Sequence, residues 1–473
     1  MVEAVVNAVA NFTRHQENVI LVARANQVDE NGTTYRYIRL SDEDANHVTF
    51  LGPSGFRKTT AMKGFIQEIW LKTAWGRDSE RPLIIVFEAK YDKAKAQEVR
   101  RVFYQLLREK GEAWLAERLG PEAFAAFKLY VQMLSSPGLA GQVGLLGDFA
   151  LGWPNILGLQ RIDARNTELS NFGLRPQAFP IRRFVFNPTR DLHHIALDSG
   201  PGAEVVAAKI KYSRLDFSDL VKLLNISPTT IYAGVIKEAW DNLRLRSPSD
   251  VIHRAREIYE EMLEFLGIES NRPNMSLWGV KASMERLKSN PLFVEDGKVK
   301  DLLDRLDNDK INVIDFSANS RLTIEEKKLI FRKVIEYLKE EYPQRKETAV
   351  FVVGDEIQRY LDDHTGRKLI SSVFREGRSV QINFFSATQY LHSLPSELAF
   401  GAAHIAILGF LSSADDVRLL KKLIPDFELK YRQPLARTPA EVERLRKELR
   451  GRGYLITNKM LTERVQFRPS QTL

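Results

Sequence analysis

Six short runs along the chain are apolar almost without interruption. They are HVTFLG at 47–52, PLIIVFE at 82–88, INVIDFS at 311–317, TAVFVVGDE at 348–356, QINFFSAT at 381–388 and HIAILGF at 404–410. A strand with one wet face alternates apolar and polar residues. A strand of a parallel sheet is covered on both faces and reads as a continuous apolar run. Between these runs apolar residues return at helical spacing, over 58–74, 324–342, 366–377 and 413–424. Strand–helix alternation of this kind predicts an α/β fold with a mainly parallel sheet.

The alternation breaks between about 95 and 305. Residues 93–135 read as helices, then comes the loop-rich stretch SSPGLAGQVGLLGDFALGWPNILG. IRRFVFNPTR reads as one more strand, and helical patterns follow near 215–225, 228–245, 249–267 and 276–288. Near the N-terminus, NVILVARA and TTYRYIRLS flank DENGTT, whose Asn-Gly pair predicts a hairpin turn. The chain ends in a charged helix, TPAEVERLRKELR, and a strand pair in GRGYLIT and ERVQFRP. The expected organisation is a β-hairpin segment over 1–45, a first half of the core over 46–95, a large mostly α-helical insertion over 96–305, a second half of the core over 306–425, and a helix-and-strand tail over 426–473.

Composition narrows the classes. The 473 residues are 44% hydrophobic, enough for sizeable cores. No run approaches 18 uncharged apolar residues, so no spanning helix is expected. The first residues, MVEAVVNAVANF, lack the basic start of a secretory signal. There is no cysteine, which excludes disulfides and thiolate metal sites and fits a cytoplasmic location. The net charge of +8 favours an acidic partner, of which nucleic acid is the commonest.

The chemistry starts at LGPSGFRKTT, residues 51–60. A phosphate-binding loop reads G-x-x-x-x-G-K-[ST]. Gly52, Lys58 and Thr59 stand in register with that pattern, and Arg57 replaces its second glycine. The preceding run reads as a strand. In the segment that follows, Met62, Phe65, Ile66, Ile69 and Trp70 recur at helical spacing, which is the context the pattern requires. The candidate nucleotide-binding residues are therefore Gly52, Pro53, Ser54, Gly55, Phe56, Arg57, Lys58, Thr59 and Thr60. Backbone N–H groups at a helix start would face the phosphates of ATP, Lys58 would meet the outer phosphates, and the Thr59 hydroxyl would face Mg²⁺. The bland alternative is a Gly-Pro turn before a basic helix start.

VFVVGDEIQRYL offers the second half of such a site. Asp355 would position Mg²⁺ and Glu356 would polarise the attacking water. An ordinary helix N-terminus, where acids are favoured anyway, is the alternative. Further on, in FREGRSVQINFFSATQ, Gln389 ends a strand and could sense the γ-phosphate or orient water. Arg375 and Arg378 lie in the connection just before that strand. Either is a solvated surface charge or an arginine that reaches a neighbour's phosphates.

Taken in order, these elements resemble the HerA–FtsK superfamily of ring-forming DNA motors. LGPSGFRKTT is similar to that family's Walker A motif, LIIVFEAKYDK to its second strand, NVIDFSAN to the strand before Walker B, and VVGDE to Walker B. REGRSVQINFFSATQ is the most specific match, and GRGYLIT resembles a late glycine-rich strand. The resemblance covers about 45–95 and 305–460. It implies a RecA-like P-loop NTPase core, with Lys58 and Thr59 on phosphate and Mg²⁺, Asp355 and Glu356 as the Walker B pair, and Gln389 as sensor. It implies Arg378 as a finger acting in trans, with Arg375 the runner-up. It also implies a homo-hexameric ring with double-stranded DNA in the pore. Residues 1–45 are too short for the full N-terminal barrel of HerA, which leaves a nuclease partner open.

Three functions fit: an ATP-driven translocase of duplex DNA, an ATPase of a conjugation or type IV secretion system moving protein or DNA, and a hydrolysis-deficient nucleic-acid-binding ring subunit. Arg57 favours the third. The joint presence of Lys58, Thr59, Asp355, Glu356, Arg378 and Gln389 speaks against it.

Overall fold

The computed structural model describes the chain except residues 1–18, 26–34, 41–45, 72–80, 90–92, 140–142, 144–145, 148–149, 160–168, 170–171, 173, 244–246, 267–274, 298, 346–347, 362–363, 396–398, 400, 412, 426, 433, 435–437, 458–459, 462–463 and 472–473. The six apolar runs form strands β3 (Val48–Leu51), β4 (Leu83–Glu88), β9 (Ile311–Asp315), β10 (Val350–Asp355), β11 (Ile382–Thr388) and β12 (His404–Leu408). Nine further strands are β1 (Val19–Ala25), β2 (Tyr35–Arg39), β5 (Ile181–Val185), β6 (Glu204–Ala207), β7 (Ile210–Lys211), β8 (Phe293–Val294), β13 (Arg452–Thr457), β14 (Met460–Leu461) and β15 (Val465–Phe467).

One sheet runs in the order β2-β1-β15-β13-β12-β3-β11-β10-β4-β9-β5-β6. From β12 to β6 every pairing is parallel. From β12 through β13, β15 and β1 to β2 every pairing is antiparallel. The stretch 96–305 thus contributes helices and also β5 and β6, which extend the sheet beside β9. The β1–β2 pairing is the one a hairpin requires, while the DENGTT turn itself lies outside the described residues.

Residue parity within the strands explains the continuous apolar runs. Phe351 and Val353 of β10 face one side, together with Val48, Phe50, Ile84, Val86, Phe385 and Ala406. Val350 and Val352 face the other, with Leu83, Ile85, Ile382, Phe384 and Ile405. Both sides are capped by helices, so alternation would have left polar groups dry. On the first side sits α1 (Lys58–Leu71), whose Met62, Phe65, Ile66, Ile69 and Trp70 are all buried. On the second lie α10 (Ile324–Glu340) and α11 (His364–Val380), with Leu329, Ile330, Val334, Ile370 and Val373 in the same core.

The other helices build outward from this frame. The helices α2 (Lys93–Lys110), α3 (Glu112–Leu119) and α4 (Pro121–Ser135) share a satellite core in which Trp153 packs on Phe127 and Tyr130. After α5 (Leu192–Ser199) come α6 (Phe217–Leu224), α7 (Ile231–Asn242), α8 (Pro248–Leu266) and α9 (Met275–Lys288). These last four enlarge the α10 core around the fully buried Trp240. The helices α12 (Ala414–Leu423) and α13 (Pro439–Glu448) lie between β12 and β13.

The C-terminal tail is fastened to the back of α1. Arg468 is fully buried and pairs with Glu68 of α1 at 2.9 Å. It also donates to Gly64 O at 3.1 Å and to Gln471 Oε1 at 2.7 Å. A buried guanidinium needs this many acceptors, because its charge is desolvated. The result is that α1 cannot shift without the tail. At the other end of β3, burial pushes the His47 imidazole down to about 3. It is therefore neutral at physiological pH, and its Nδ1 accepts the Phe384 N–H at 3.1 Å, tying β3 to β11.

Candidate nucleotide site

The loop between β3 and α1 is shaped by close contacts rather than by composition alone. Gly52 has φ 145°, and a Cβ there would meet Leu408 O at 2.1 Å. No other residue fits. Gly55 has φ 85°. Between them and α1, Phe56 is buried and packs edge-on against Phe410, with ring centroids 5.3 Å apart. Gly409 makes room for it: a Cβ on that residue would lie 2.3 Å from the Phe56 ring. Phe56 is thus an anchor of the loop, while Ser54 and Gly55 are exposed at its tip. Lys58 is buried at the start of α1, where its Nζ donates to Gly52 O at 2.8 Å and to Pro53 O at 3.1 Å. Its ammonium therefore lies inside the curve of the loop.

Arg57 has φ 69°, in the left-handed region. The backbone here keeps the conformation that the missing glycine would adopt freely. For a residue with a Cβ that conformation costs roughly 1–2 kcal/mol. The side chain runs beside Gly451, where a Cβ would stand 3.7 Å from Arg57 Cδ. Arg57→Gly should therefore raise stability by about 1 kcal/mol, read as a higher urea midpoint with unchanged slope. If Arg57 is only an obstacle, the same variant binds ATP more tightly in a direct titration. Weaker binding would identify Arg57 as a phosphate ligand.

The acidic pair is not on the neighbouring strand. β11 lies between β3 and β10, with Leu51 opposite Thr388 and Ala387 opposite Asp355. Two strand spacings put about 10 Å of sheet between the loop strand and the acids. Gln389 follows directly on β11 and so emerges between them, half-buried. Asp355 ends β10 and is buried. Glu356 has φ 55° and ψ 39°, again left-handed, and its N–H donates to Ala387 O at 2.8 Å. The segment after it is a short 3-10 turn over Ile357–Tyr360, which the Glu356 side chain does not cap. An acid placed only to cap a helix would do so. Strain held at a half-buried carboxylate points instead to a positioned group.

Two residues missed by sequence reasoning border the site. Gln358 Nε2 donates to Glu356 Oε2 and lies 3.4 Å from Thr388 Oγ1. Arg446 of α13 comes close to the loop tip: a Cβ on Gly55 would meet its Nε at 3.2 Å. Gln358 sits two residues from Glu356, so its proximity was available. Arg446 is distant in sequence, and nothing in a charged helix marks one arginine among several. Arg375 and Arg378 fall in the last turns of α11 rather than in a connection, and their side chains lie outside the described residues.

Glu88, at the end of β4, is held apart from this chemistry. It is fully buried and bonded to Arg183 Nη2, while Arg183 Nη1 lies 3.2 Å from Asp315 Oδ2. Asp315 also accepts from Ser317 N at 2.8 Å and Asn319 Nδ2 at 2.9 Å. This buried ion cluster ties β4, β5 and β9 together. The rest of the second-strand motif, Lys90, Tyr91 and Asp92, lies outside the described residues.

The residues present fit a Mg²⁺–nucleotide complex. Gly52 and Gly55 give the loop its positive-φ turns, the α1 N-terminus follows directly, Lys58 could supply a cation, and Thr59 and Asp355 could supply oxygens. Among the described residues no group of three or more His, Cys, Asp or Glu could hold a metal without such a complex. No helix among them is long and apolar enough to cross a membrane.

Residues 182–335 match the family model described as "Helicase HerA, central domain". The match runs from β5 into α10 and falls between the P-loop and the Asp355 strand. No curated protein matches the chain. Among solved structures, VirB4 of Thermoanaerobacter pseudethanolicus is similar at 10% identity, over 96% of this chain and 97% of that one, with a TM-score of 0.46. The bacterial conjugative coupling protein TrwBΔN70 is 10% identical over 97% and 91%, with a TM-score of 0.42. Scores at this level leave the fold to be argued from this chain's own sheet. In that sheet the strand before the glycine loop and the acid-bearing strand flank β11, and the matched segment lies between them in sequence: over residues 182–335 the chain is similar to the HerA central domain.

Proposed function

We propose that the chain is an ATP-driven motor that moves double-stranded DNA through a homo-hexameric ring in the cytoplasm. The observation that carries this reading is the alignment of three strand ends, with the P-loop after β3, Gln389 after β11 and Asp355–Glu356 after β10. Lys58 and the loop amides bind the nucleotide phosphates. Thr59 and Asp355 would hold Mg²⁺, which would supply charge neutralisation on the phosphates. Glu356 orients the attacking water, Gln389 senses the γ-phosphate, and Arg378 reaches a neighbouring subunit. The net charge of +8 supports a polyanionic partner. A second reading, a ring subunit that binds nucleic acid without turnover, draws on the strained Arg57.

The two readings separate in one assay. ATP hydrolysis is measured with and without duplex DNA, on protein whose oligomer is sized by light scattering. The motor reading expects a hexamer whose hydrolysis rises with duplex DNA. A hexamer that binds duplex DNA and ATP without turnover would establish the second reading instead.

A further inference from the structure

We propose that Gln358 is a positioning residue that holds the Glu356 carboxylate off its water until the end of β11 moves. This rests on the reading of Glu356 as the water-orienting group.

Three observations converge on Gln358. Its Nε2 donates to Glu356 Oε2. The same nitrogen lies 3.4 Å from the Thr388 hydroxyl, at the end of β11. Its Oε1 is buried with no hydrogen-bond partner among the described residues. The amide orientation follows from this set, because the flipped form would turn a carbonyl oxygen against a carboxylate. Gln358 is therefore held through its NH₂ group alone, and that group spans the two strand ends.

What it does to Glu356 follows from the carboxylate's task. A carboxylate orients water by accepting a hydrogen bond from it and drawing on its proton. A donor already on Oε2 occupies that oxygen and weakens its basicity. The Glu356 backbone is fixed by the bond from its N–H to Ala387 O, so release has to come from the side chain. Thr388 is the natural trigger. Its hydroxyl donates to Tyr390 O at 3.2 Å and accepts from Tyr390 N at 3.3 Å. It thus closes the turn that carries Gln389. A shift of Gln389 toward a γ-phosphate moves the hydroxyl that the Gln358 amide touches.

The test uses Gln358→Met, which keeps length and removes both donors. Hydrolysis without DNA should rise about tenfold, the scale set by one hydrogen bond to a charged group. Hydrolysis with duplex DNA and the affinity for a non-hydrolysable ATP analogue should stay the same. A second readout is independent of turnover. In the native protein the analogue should alter hydrogen exchange at both 386–390 and 356–361. In Gln358→Met the change should persist at 386–390 and disappear at 356–361. A fall in both rates, an unchanged basal rate, or an exchange response surviving in both segments would overturn the proposal. Should Gln358→Met not fold, Gln358→Leu removes the same donors without touching the Gln389 turn and carries the same expectations. If Glu356→Gln leaves hydrolysis intact in the otherwise native chain, the fault lies with the reading of Glu356 and not with Gln358.

Discussion

Arg378→Ala should abolish ATP hydrolysis while leaving nucleotide binding nearly intact. The reasoning is electrostatic. Phosphoryl transfer builds negative charge between the β- and γ-phosphates, and a guanidinium arriving there stabilises it. A finger supplied from a neighbouring subunit contributes on the order of 10³-fold or more to turnover. Ground-state binding depends mainly on the loop amides and Lys58, so affinity should change little. Arg378 lies near the end of α11, immediately before β11, and β11 reaches the site at its opposite end. A residue at the start of that strand is separated from its own Gln389 by the strand's length, seven residues or about 20 Å. That span favours action on another subunit. Mixing Arg378→Ala with Lys58→Ala tests it, because some interfaces in mixed rings join an intact Lys58 to an intact Arg378. Partial recovery of hydrolysis is expected. With subunit exchange demonstrated, no recovery would shift the role to Arg375 or to a site within one subunit.

Glu356→Gln should lower turnover by roughly 10²-fold or more, since the amide can no longer draw a proton from water. The exchange is nearly isosteric, so ATP affinity should persist and the protein should hold bound ATP. Lys58→Ala should act differently. It removes the cation buried inside the loop, so both binding and turnover fall, the latter again by roughly 10²-fold or more. Equilibrium binding of an ATP analogue therefore distinguishes the two variants where rates alone do not. An unchanged rate in Glu356→Gln hexamers would remove Glu356 from the chemistry.

The parts of this fold that were legible in the sequence are those governed by local rules. Continuous apolar runs marked β3, β4, β9, β10, β11 and β12, because burial on both sheet faces leaves a signature in each strand. The Asn-Gly hairpin pattern marked β1 and β2. Their place was not legible: β15, from the far end of the chain, pairs with β1 and draws both ends into one sheet. Strand order is set in part by pairings hundreds of residues apart, such as β3 with β11 and β4 with β10, and these leave no periodic trace. The four-residue β6, EVVA, carried too little pattern to be seen.

The site divides the same way. LGPSGFRKTT and VVGDE stood out because their chemistry needs contiguous residues. The sequence also exposed Arg57 as a departure, and the structure gives it physical meaning as a side chain in a glycine's backbone conformation. The position of β11 between the loop and the acids, the Phe56 anchor against Gly409, and the amide of Gln358 on Glu356 depend on packing, and the sequence left them open.

The motor reading stands or falls on movement along duplex DNA. The direct measurement is ATP-dependent displacement of a third strand from a duplex carrying a triplex-forming site at one end. The native hexamer should displace the third strand with ATP and fail with a non-hydrolysable analogue, and Glu356→Gln hexamers that bind the same duplex should displace nothing. Displacement that is absent in native hexamers which bind the duplex and hydrolyse ATP, or that proceeds equally with Glu356→Gln, would contradict it.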